Sequence, residues 1–253
     1  MSLQHKYGVI IQARNSSHRL KRKVSMPFYN GKSILELLIN NLKVSLNQVL
    51  TIVATTNHSE DDSIVELAEK MGVQVFRGEE KNVLRRVTEA ATQFGIENII
   101  RVCGDNPFLD IDSISSLIRC HKKKPVDYIS YKVGDDLPAI LSHLGIFAEL
   151  VMKSTLEKVI KKTSDALFLE HVTNYIYTNP NEFDLHFLKA PQYLFNRLDI
   201  RLTVDTIQDF ELAQLLYSLK IENNWDQIEL INFIDSDKTI KKSMNKMIDQ
   251  NKK

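Results

Sequence analysis

The segment Gly8 to Lys23 reads Gly-Val-Ile-Ile-Gln-Ala-Arg-Asn-Ser-Ser-His-Arg-Leu-Lys-Arg-Lys and gathers Arg14, His18, Arg19, Lys21, Arg22 and Lys23. These side chains follow at once on the run Val9 to Gln12, whose apolar residues have the pattern of a buried strand. Cations just past the carboxyl end of a first strand stand where open α/β sheets bind ligands. Their chemistry suits a polyphosphate, whose dense charge needs several donors brought together. The plain alternative is a solvated basic turn.

Two further segments carry strand-end carboxylates. In Arg101-Val-Cys-Gly-Asp-Asn-Pro107, Asp105 follows an apolar run, Gly104 lets the backbone turn, and Pro107 stiffens the exit. A carboxylate in that place can hold Mg²⁺, which binds phosphate oxygens in turn, or it can simply bond local amides. In Arg201-Leu-Thr-Val-Asp-Thr206, Asp205 lies between a short apolar run and a helical pattern. Aspartate is also a common helix N-cap, so Asp205 has that second reading. Asp110 and Asp112 are read as cap residues only. A basic loop plus two separate strand-end aspartates is the set of parts that metal-dependent nucleotidyl transfer requires. Arg101 sits inside a strand, where an unpaired charge is costly. It must meet either a buried carboxylate or the carboxylate of a substrate.

These residues need a scaffold, and the periodicity supplies one. Strands are expected at Val9 to Gln12, Leu50 to Ala54, Val73 to Phe76 and Asn98 to Cys103. Between them lie helices. One opens on the capping box Ser33-x-x-Glu36. One carries Ile64, Leu67, Ala68 and Met71 on one face. One carries Val83, Val87, Ala90, Ala91 and Phe94. Gly72 and Gly95 end the last two. A helix from Asp112 to about His121 follows. This βαβα series predicts an α/β, Rossmann-like, mostly parallel mixed sheet with helices on both faces. No glycine-rich dinucleotide fingerprint follows the first strand.

The second half is less regular. Strands are expected at Asp127 to Tyr131, Leu144 to Ala148, Phe183 to Leu188 and Arg201 to Val204. Helices are expected at Ala166 to Thr178, Thr206 to Leu219 and Trp225 to Ile234. Residues 130–190 are read as an excursion that covers the site or makes a dimer contact. Residues 238–253 are read as a lysine-rich tail that frays. Met1 to Leu3 are read as an N-terminal addition. The whole, 1–253, is read as one domain.

Composition excludes several classes. The 253 residues carry 33 Lys and Arg against 32 Asp and Glu, a net charge of +1. A general electrostatic grip on nucleic acid is therefore not expected. No signal-like run and no membrane-spanning stretch is present. The two cysteines, Cys103 and Cys120, make neither a metal-spaced motif nor a disulfide framework. They read as small buried residues in a reducing, cytoplasmic compartment.

The sequence resembles the cytidylyltransferase-like nucleotidyl transferases that activate sugar acids, including the 3-deoxy-manno-octulosonate and acylneuraminate cytidylyltransferases. It is most similar to their spore-coat polysaccharide branch. The resemblance rests on Gln12, Ala13, Arg14, Ser17, Arg19, Leu20 and Lys23, and on Ala54-Thr55-Thr56 with Asp61-Asp62. It continues through Phe76-Arg77-Gly78, Val83-Leu84 with Arg86, Arg101, Gly104-Asp105 and Pro107. Glu170-His171-Val172-Thr173 and Leu202 to Thr206 with Asp209 complete it, over roughly residues 7–215. Ser16 and Arg22 replace glycines of the family pattern, Lys21 replaces its proline, and Asn82 an acidic residue.

The resemblance implies that Arg14 and Lys23 bind a triphosphate and stabilise charge on the transferring phosphorus, and that Asp105 and Asp205 hold Mg²⁺. The nucleotide site would comprise Gln12, Ala13, Arg14, Ser17, Arg19, Lys23, Ala54, Thr55, Arg77 and Asp105. Arg101 and His171 would contact the substrate. The reaction implied moves CMP from CTP to a sugar acid, releasing pyrophosphate, and the partner implied is a second copy of the chain. Two other readings remain open. One is a nucleotide-sugar-dependent glycosyltransferase using Asp110-Ile-Asp112. The other is a nucleotide-binding relative without turnover, motivated by Ser16, Lys21 and Arg22.

Overall fold

The computed structural model describes residues 5–251, so Met1 to Leu3 and the last two lysines of the expected tail lie outside the described residues. The first half follows the expected alternation: β1 (His5–Gln12), the short pair β2 (Pro27–Tyr29) and β3 (Lys32–Ser33), α1 (Ile34–Ser45), β4 (Leu50–Thr56), α2 (Asp62–Lys70), β5 (Gln74–Gly78), α3 (Val83–Gln93), β6 (Ile96–Cys103) and α4 (Ile111–Lys123). Ser33 and Glu36 form the capping box of α1, and Asp110 caps α4 by accepting from the Asp112 amide. Gly72 and Gly95 take positive φ, 68° and 67°, at the ends of α2 and α3. The second half comprises β7 (Tyr128–Lys132), β8 (Glu149–Met152), α5 (Lys153–Lys162), α6 (Ala166–Glu170), α7 (Asn174–Thr178), β9 (Leu185–Lys189), α8 (Ile207–Glu222), α9 (Gln227–Ser236) and α10 (Lys238–Gln250).

Seven strands form one sheet in the order β5-β4-β1-β6-β8-β7-β9, parallel except at β8, which runs antiparallel to both its neighbours. Side-chain alternation along β1 feeds two cores. Val9 and Ile11 join α1, α2, α4 and the C-terminal helices on one face, while Ile10 joins α3, α5 and α7 on the other. The chain winds from β1 out to β5 and then returns to β6 on the other side of β1. The crevice past the carboxyl ends of β1 and β6 is therefore the topological switch point, where open sheets bind ligands.

The second half departs from expectation in five places. The run Leu144 to Ala148 is not a strand; it is buried because it packs under the site, and pairing with β6 begins only at Glu149, opposite Arg101. Arg201 to Val204 is not a strand either: its amides reach the His143 and Asp105 carbonyls rather than a ladder. The helix expected over Ala166 to Thr178 is two short helices, because Thr173 turns inward to bond buried Glu149. The helix α5 stands where no element was expected, although Leu156 and Val159 lie on its buried face at helical spacing. Residues 238–250 of the expected tail do not fray: Ile240, Met244 and Met247 of α10 are buried against the core. Of residues 130–190, β8, β9 and most of β7 belong to the sheet, while 139–147 and α6 to α7 lie over a cavity of about 420 Å³.

Candidate active site

The basic loop owes its shape to two residues outside the cation cluster. The fully buried Asp61 accepts from the amides of Asn15, 2.7 Å, and Thr56, 3.1 Å. Asn15 donates through Nδ2 to Glu60 O and Ser63 Oγ, and accepts from Ser25 Oγ. The Arg22 amide closes the loop on Asn15 O at 2.9 Å, with Arg22 in the left-handed region at φ 61°. Arg22 thus occupies a conformation that glycine takes at less cost. Ser16 bonds Glu80, which also meets His58 Nε2 at 3.1 Å and Arg14 Nη1 at 3.8 Å. The Ser16 hydroxyl, with help from His58 and Arg14, holds the Glu80 carboxyl below its ordinary pKa against its partial burial.

The two strand-end aspartates converge on one ammonium. Lys23 Nζ donates to Asp105 Oδ2 at 2.5 Å, Val204 O at 2.6 Å and Asp205 Oδ1 at 3.2 Å. Burial works against the Lys23 charge, but the two carboxylates outweigh it and raise its pKa above the ordinary lysine value. Asp205 is correspondingly lowered: burial opposes its charge, and Lys23 and Arg19 overcome that. Asp205 is not the cap of α8; Thr206 and Asp209 make that capping box. The side chain of Asp205 is instead held by Arg19 at 2.9 Å and Arg201 at 3.1 Å. Arg201 is itself buried, forked onto Asp209 and bonded to His143 Nδ1. Gly104 permits the approach of β1 and β6 here, since a Cβ would stand 2.9 Å from Gln12 O and 3.0 Å from Ala13 Cβ.

Two cavities meet at this point. The smaller, about 290 Å³, is lined by Gln12, Ala13, Arg14, Ser17, Arg19 and Lys23, with Arg86 and Val83 from α3. The larger, about 420 Å³, opens under residues 139–147 and α6 to α7. Gln12, Cys103, Asp105, Glu170, His171 and Asp205 line both. Arg101 stands in the larger cavity and also meets a buried carboxylate, so the two readings of its partner are compatible. Its Nε donates to Glu149 Oε2 at 2.7 Å and its Nη1 to Gln12 Oε1 at 2.9 Å. Glu149 in turn accepts from Tyr128 and Thr173.

Most residues proposed from the sequence are thus brought together: Gln12, Ala13, Arg14, Ser17, Arg19, Lys23, Asp105 and Asp205 around the smaller cavity, Arg101 in the larger, and exposed His171 between them. Leu167 and Asn174 join His171 in the larger cavity although the helix is broken. Three expected nucleotide residues stand back from both cavities. Ala54 and Thr55 are fully buried in β4. Arg77 braces the β4–α2 turn through Thr56 O, His58 O and Asp62. Lys21 and Arg22 also lie off the cavity walls. Sequence reasoning named Asp61 and Arg201 without a role and missed Asn15 and Glu149: Asn15 and Asp61 fold the loop, and Glu149 and Arg201 fix the working side chains. Asp110 and Asp112 line neither cavity and serve the start of α4.

The oxygen donors at the meeting point are the carboxylates of Asp105 and Asp205, and no group of three or more His, Cys, Asp or Glu could hold a metal among the described residues. Two hard carboxylates fit Mg²⁺, which takes one or two of them and fills its shell with water and phosphate oxygens.

Comparison with known proteins agrees with this geometry. The cytidylyltransferase family model matches residues 8–233. An uncharacterised protein of Methanocaldococcus jannaschii is 40% identical, covering 92% of this chain and 91% of its own length. The spore coat polysaccharide biosynthesis protein SpsF of Bacillus subtilis is 33% identical, covering 82% of this chain and 85% of its own length. A solved cytidylyltransferase from Leptospira borgpetersenii serovar Hardjo-bovis is 29% identical with a TM-score of 0.81, covering 93% of this chain and 96% of that one. With the basic loop, the paired aspartates and the sheet that joins them all within the matched span, the chain belongs to the cytidylyltransferase family and is a nucleotidyltransferase.

Proposed function

We propose that this enzyme transfers CMP from CTP to a hydroxyl of a sugar acid, an ulosonic or nonulosonic acid, with Mg²⁺ as its metal and pyrophosphate as co-product. The product would serve surface polysaccharide or glycan assembly, in keeping with the name of the Bacillus subtilis relative. The observation that carries the reading is Lys23, held between Asp105 and Asp205 where a basic cavity meets a larger one containing Arg101. The polyphosphate lies in the smaller cavity and the acceptor in the larger. The Arg101 guanidinium suits the acceptor's carboxylate, and His171 reaches over both. Bound Mg²⁺, carried by Asp105 and Asp205, would neutralise charge on the phosphate oxygens.

The remaining chemistry falls to the chain itself. The acceptor oxygen attacks the α-phosphorus, the bond to the pyrophosphate oxygen breaks, and the acceptor's proton passes to water. Arg14 is held loosely, by contacts of 3.8 Å to Glu80 and 3.4 Å to Glu170, so phosphate oxygens can displace them. Lys23 has all three of its donors engaged and must exchange one acceptor for a phosphate oxygen as charge develops. The enzyme works in the cytoplasm, a reading that rests on its two cysteines without a disulfide framework.

The test is pyrophosphate release, with and without Mg²⁺, from each nucleoside triphosphate against a panel of sugar acids. Release with CTP, one acceptor and Mg²⁺ is expected. Release without metal would overturn the role of Mg²⁺, and preference for another triphosphate would overturn CTP. Liberation of a nucleoside diphosphate from a nucleotide sugar would favour the glycosyltransferase reading.

A further inference from the structure

Four cationic side chains are deeply buried among the described residues: Lys23, Arg86, Arg101 and Arg201. Three are neutralised by carboxylates: Lys23 by Asp105 and Asp205, Arg101 by Glu149, and Arg201 by Asp209 and Asp205. Arg86, only 1% exposed, makes no ion pair among the described residues. Its Nη1 donates to the carbonyls of Glu79, 2.5 Å, and Glu80, 3.1 Å, which ties down the β5–α3 loop. Its Nε is buried without a partner. Burial drives its pKa down to about 10, and the nearby charge of Arg14 pushes the same way, while Asp61 and Glu80 oppose at longer range. A guanidinium stays charged at neutral pH, so the protein carries a desolvated cation with no carboxylate in contact with it among the described residues.

The place of Arg86 leaves room for an anion beside it. It lines the smaller cavity beside Arg14, Arg19 and Lys23, and it does not line the larger one. In an in-line transfer the acceptor and the leaving group stand on opposite sides of the phosphorus. If the acceptor enters from the larger cavity, the leaving pyrophosphate lies on the side lined by Arg14 and Arg86. Val83, in the first turn of α3, lines the same wall, so the positive end of that helix adds to the field.

We propose that Arg86 is an anion-binding residue of this site which, with Arg14, holds the part of the triphosphate that departs as pyrophosphate. The inference rests on the nucleotide reading above and adds to it the side from which the leaving group is held.

Titration calorimetry of the full chain with CTP, CMP and inorganic pyrophosphate tests it, comparing the wild type with Arg86→Gln and Arg86→Lys. In Arg86→Gln, CTP and pyrophosphate should bind at least about tenfold more weakly, the loss of a charged hydrogen-bond partner. CMP, which lacks the departing phosphates, should bind within about twofold of wild type. Unchanged pyrophosphate and CTP affinities would overturn the proposal. So would an equal loss for CMP, which would reduce Arg86 to a brace for the loop. Should Arg86→Gln fail to fold, Arg86→Lys decides: it keeps the charge but not the guanidinium fork, so pyrophosphate should weaken and CMP should not. Equal affinities in that variant would overturn the proposal. A wild type that binds neither CTP nor pyrophosphate would sink the nucleotide reading as well, whereas wild-type binding unaltered by either substitution sinks this inference alone.

Discussion

Lys23 concentrates the chemistry of the site in one ammonium whose three acceptors come from Asp105, Val204 and Asp205. Replacing Asp205 by Asn keeps its size and its place beside Arg201 while removing the charge that balances Lys23. Turnover in Asp205→Asn, or in Asp105→Asn, should fall by about a hundredfold or more, the scale of losing one well-placed electrostatic group. The melting temperature should stay within a few degrees of wild type, because Arg201 remains paired with Asp209. Full pyrophosphate release by either variant would remove that aspartate from the mechanism and sink the paired metal assignment. Arg201 itself belongs to the scaffold: buried on Asp209, it fixes Asp205 by a partly buried bond of 3.1 Å. Glu149 does the same for Arg101.

At the scale of elements, close contact between β1 and β6 brings the basic loop to the aspartate loop. Gly104 is the condition for it, since any side chain there meets Gln12 O at 2.9 Å. Gly104→Ala should cost about 1–3 kcal/mol, the usual penalty of overpacking. It should also lower kcat, because the strand ends carrying Arg14 and Asp105 must part. Denaturant unfolding and initial rates measured on the same preparation check both effects. The C-terminal helices form a second support. Asn251, capping α10, accepts from Arg19 at 2.7 Å, which ties the end of α10 to the basic loop. Arg197, Asp199, Asp235 and Lys241 lock α9 and α10 to the segment before the site. The bonds from Arg197, and next from Lys241, hold the Asp199 carboxyl down at about 2 against its burial. A lowered folded pKa means that this contribution is complete above the ordinary carboxylate value and is lost as the pH falls through the folded one. The melting temperature of Asp199→Asn should therefore lie below wild type at about pH 5 and above, and the gap should close as the pH approaches about 2. A gap independent of pH would show that the lock works through shape rather than charge.

At the scale of the whole molecule, one sheet carries both cavities across its switch point, and the irregular second half covers the larger of them. We propose that the same half, residues 130–190, also makes a homodimer contact. Leu167, half exposed on α6, offers apolar surface there. Light scattering at micromolar concentration should give twice the chain mass, and a monomer would reject the dimer. The sequence by itself determined the β1-to-α4 alternation, the capping box at Ser33, the basic loop and the strand-end aspartates. These are local signals: a period, a cap and a charge follow from neighbours along the chain. It left the second half obscure because burial there serves the site rather than a ladder. The apolar run Leu144 to Ala148 has the composition of a strand, yet it packs under a cavity. Thr173 breaks an otherwise helical run for one bond to Glu149. Only the tertiary structure decided that Arg77 braces a turn, that Asp61 shapes the basic loop, that Arg101 both pairs with Glu149 and lines a cavity, and that Arg86 makes no ion pair among the described residues. Each depends on which groups the folded chain brings face to face, and no window along a sequence records that distance.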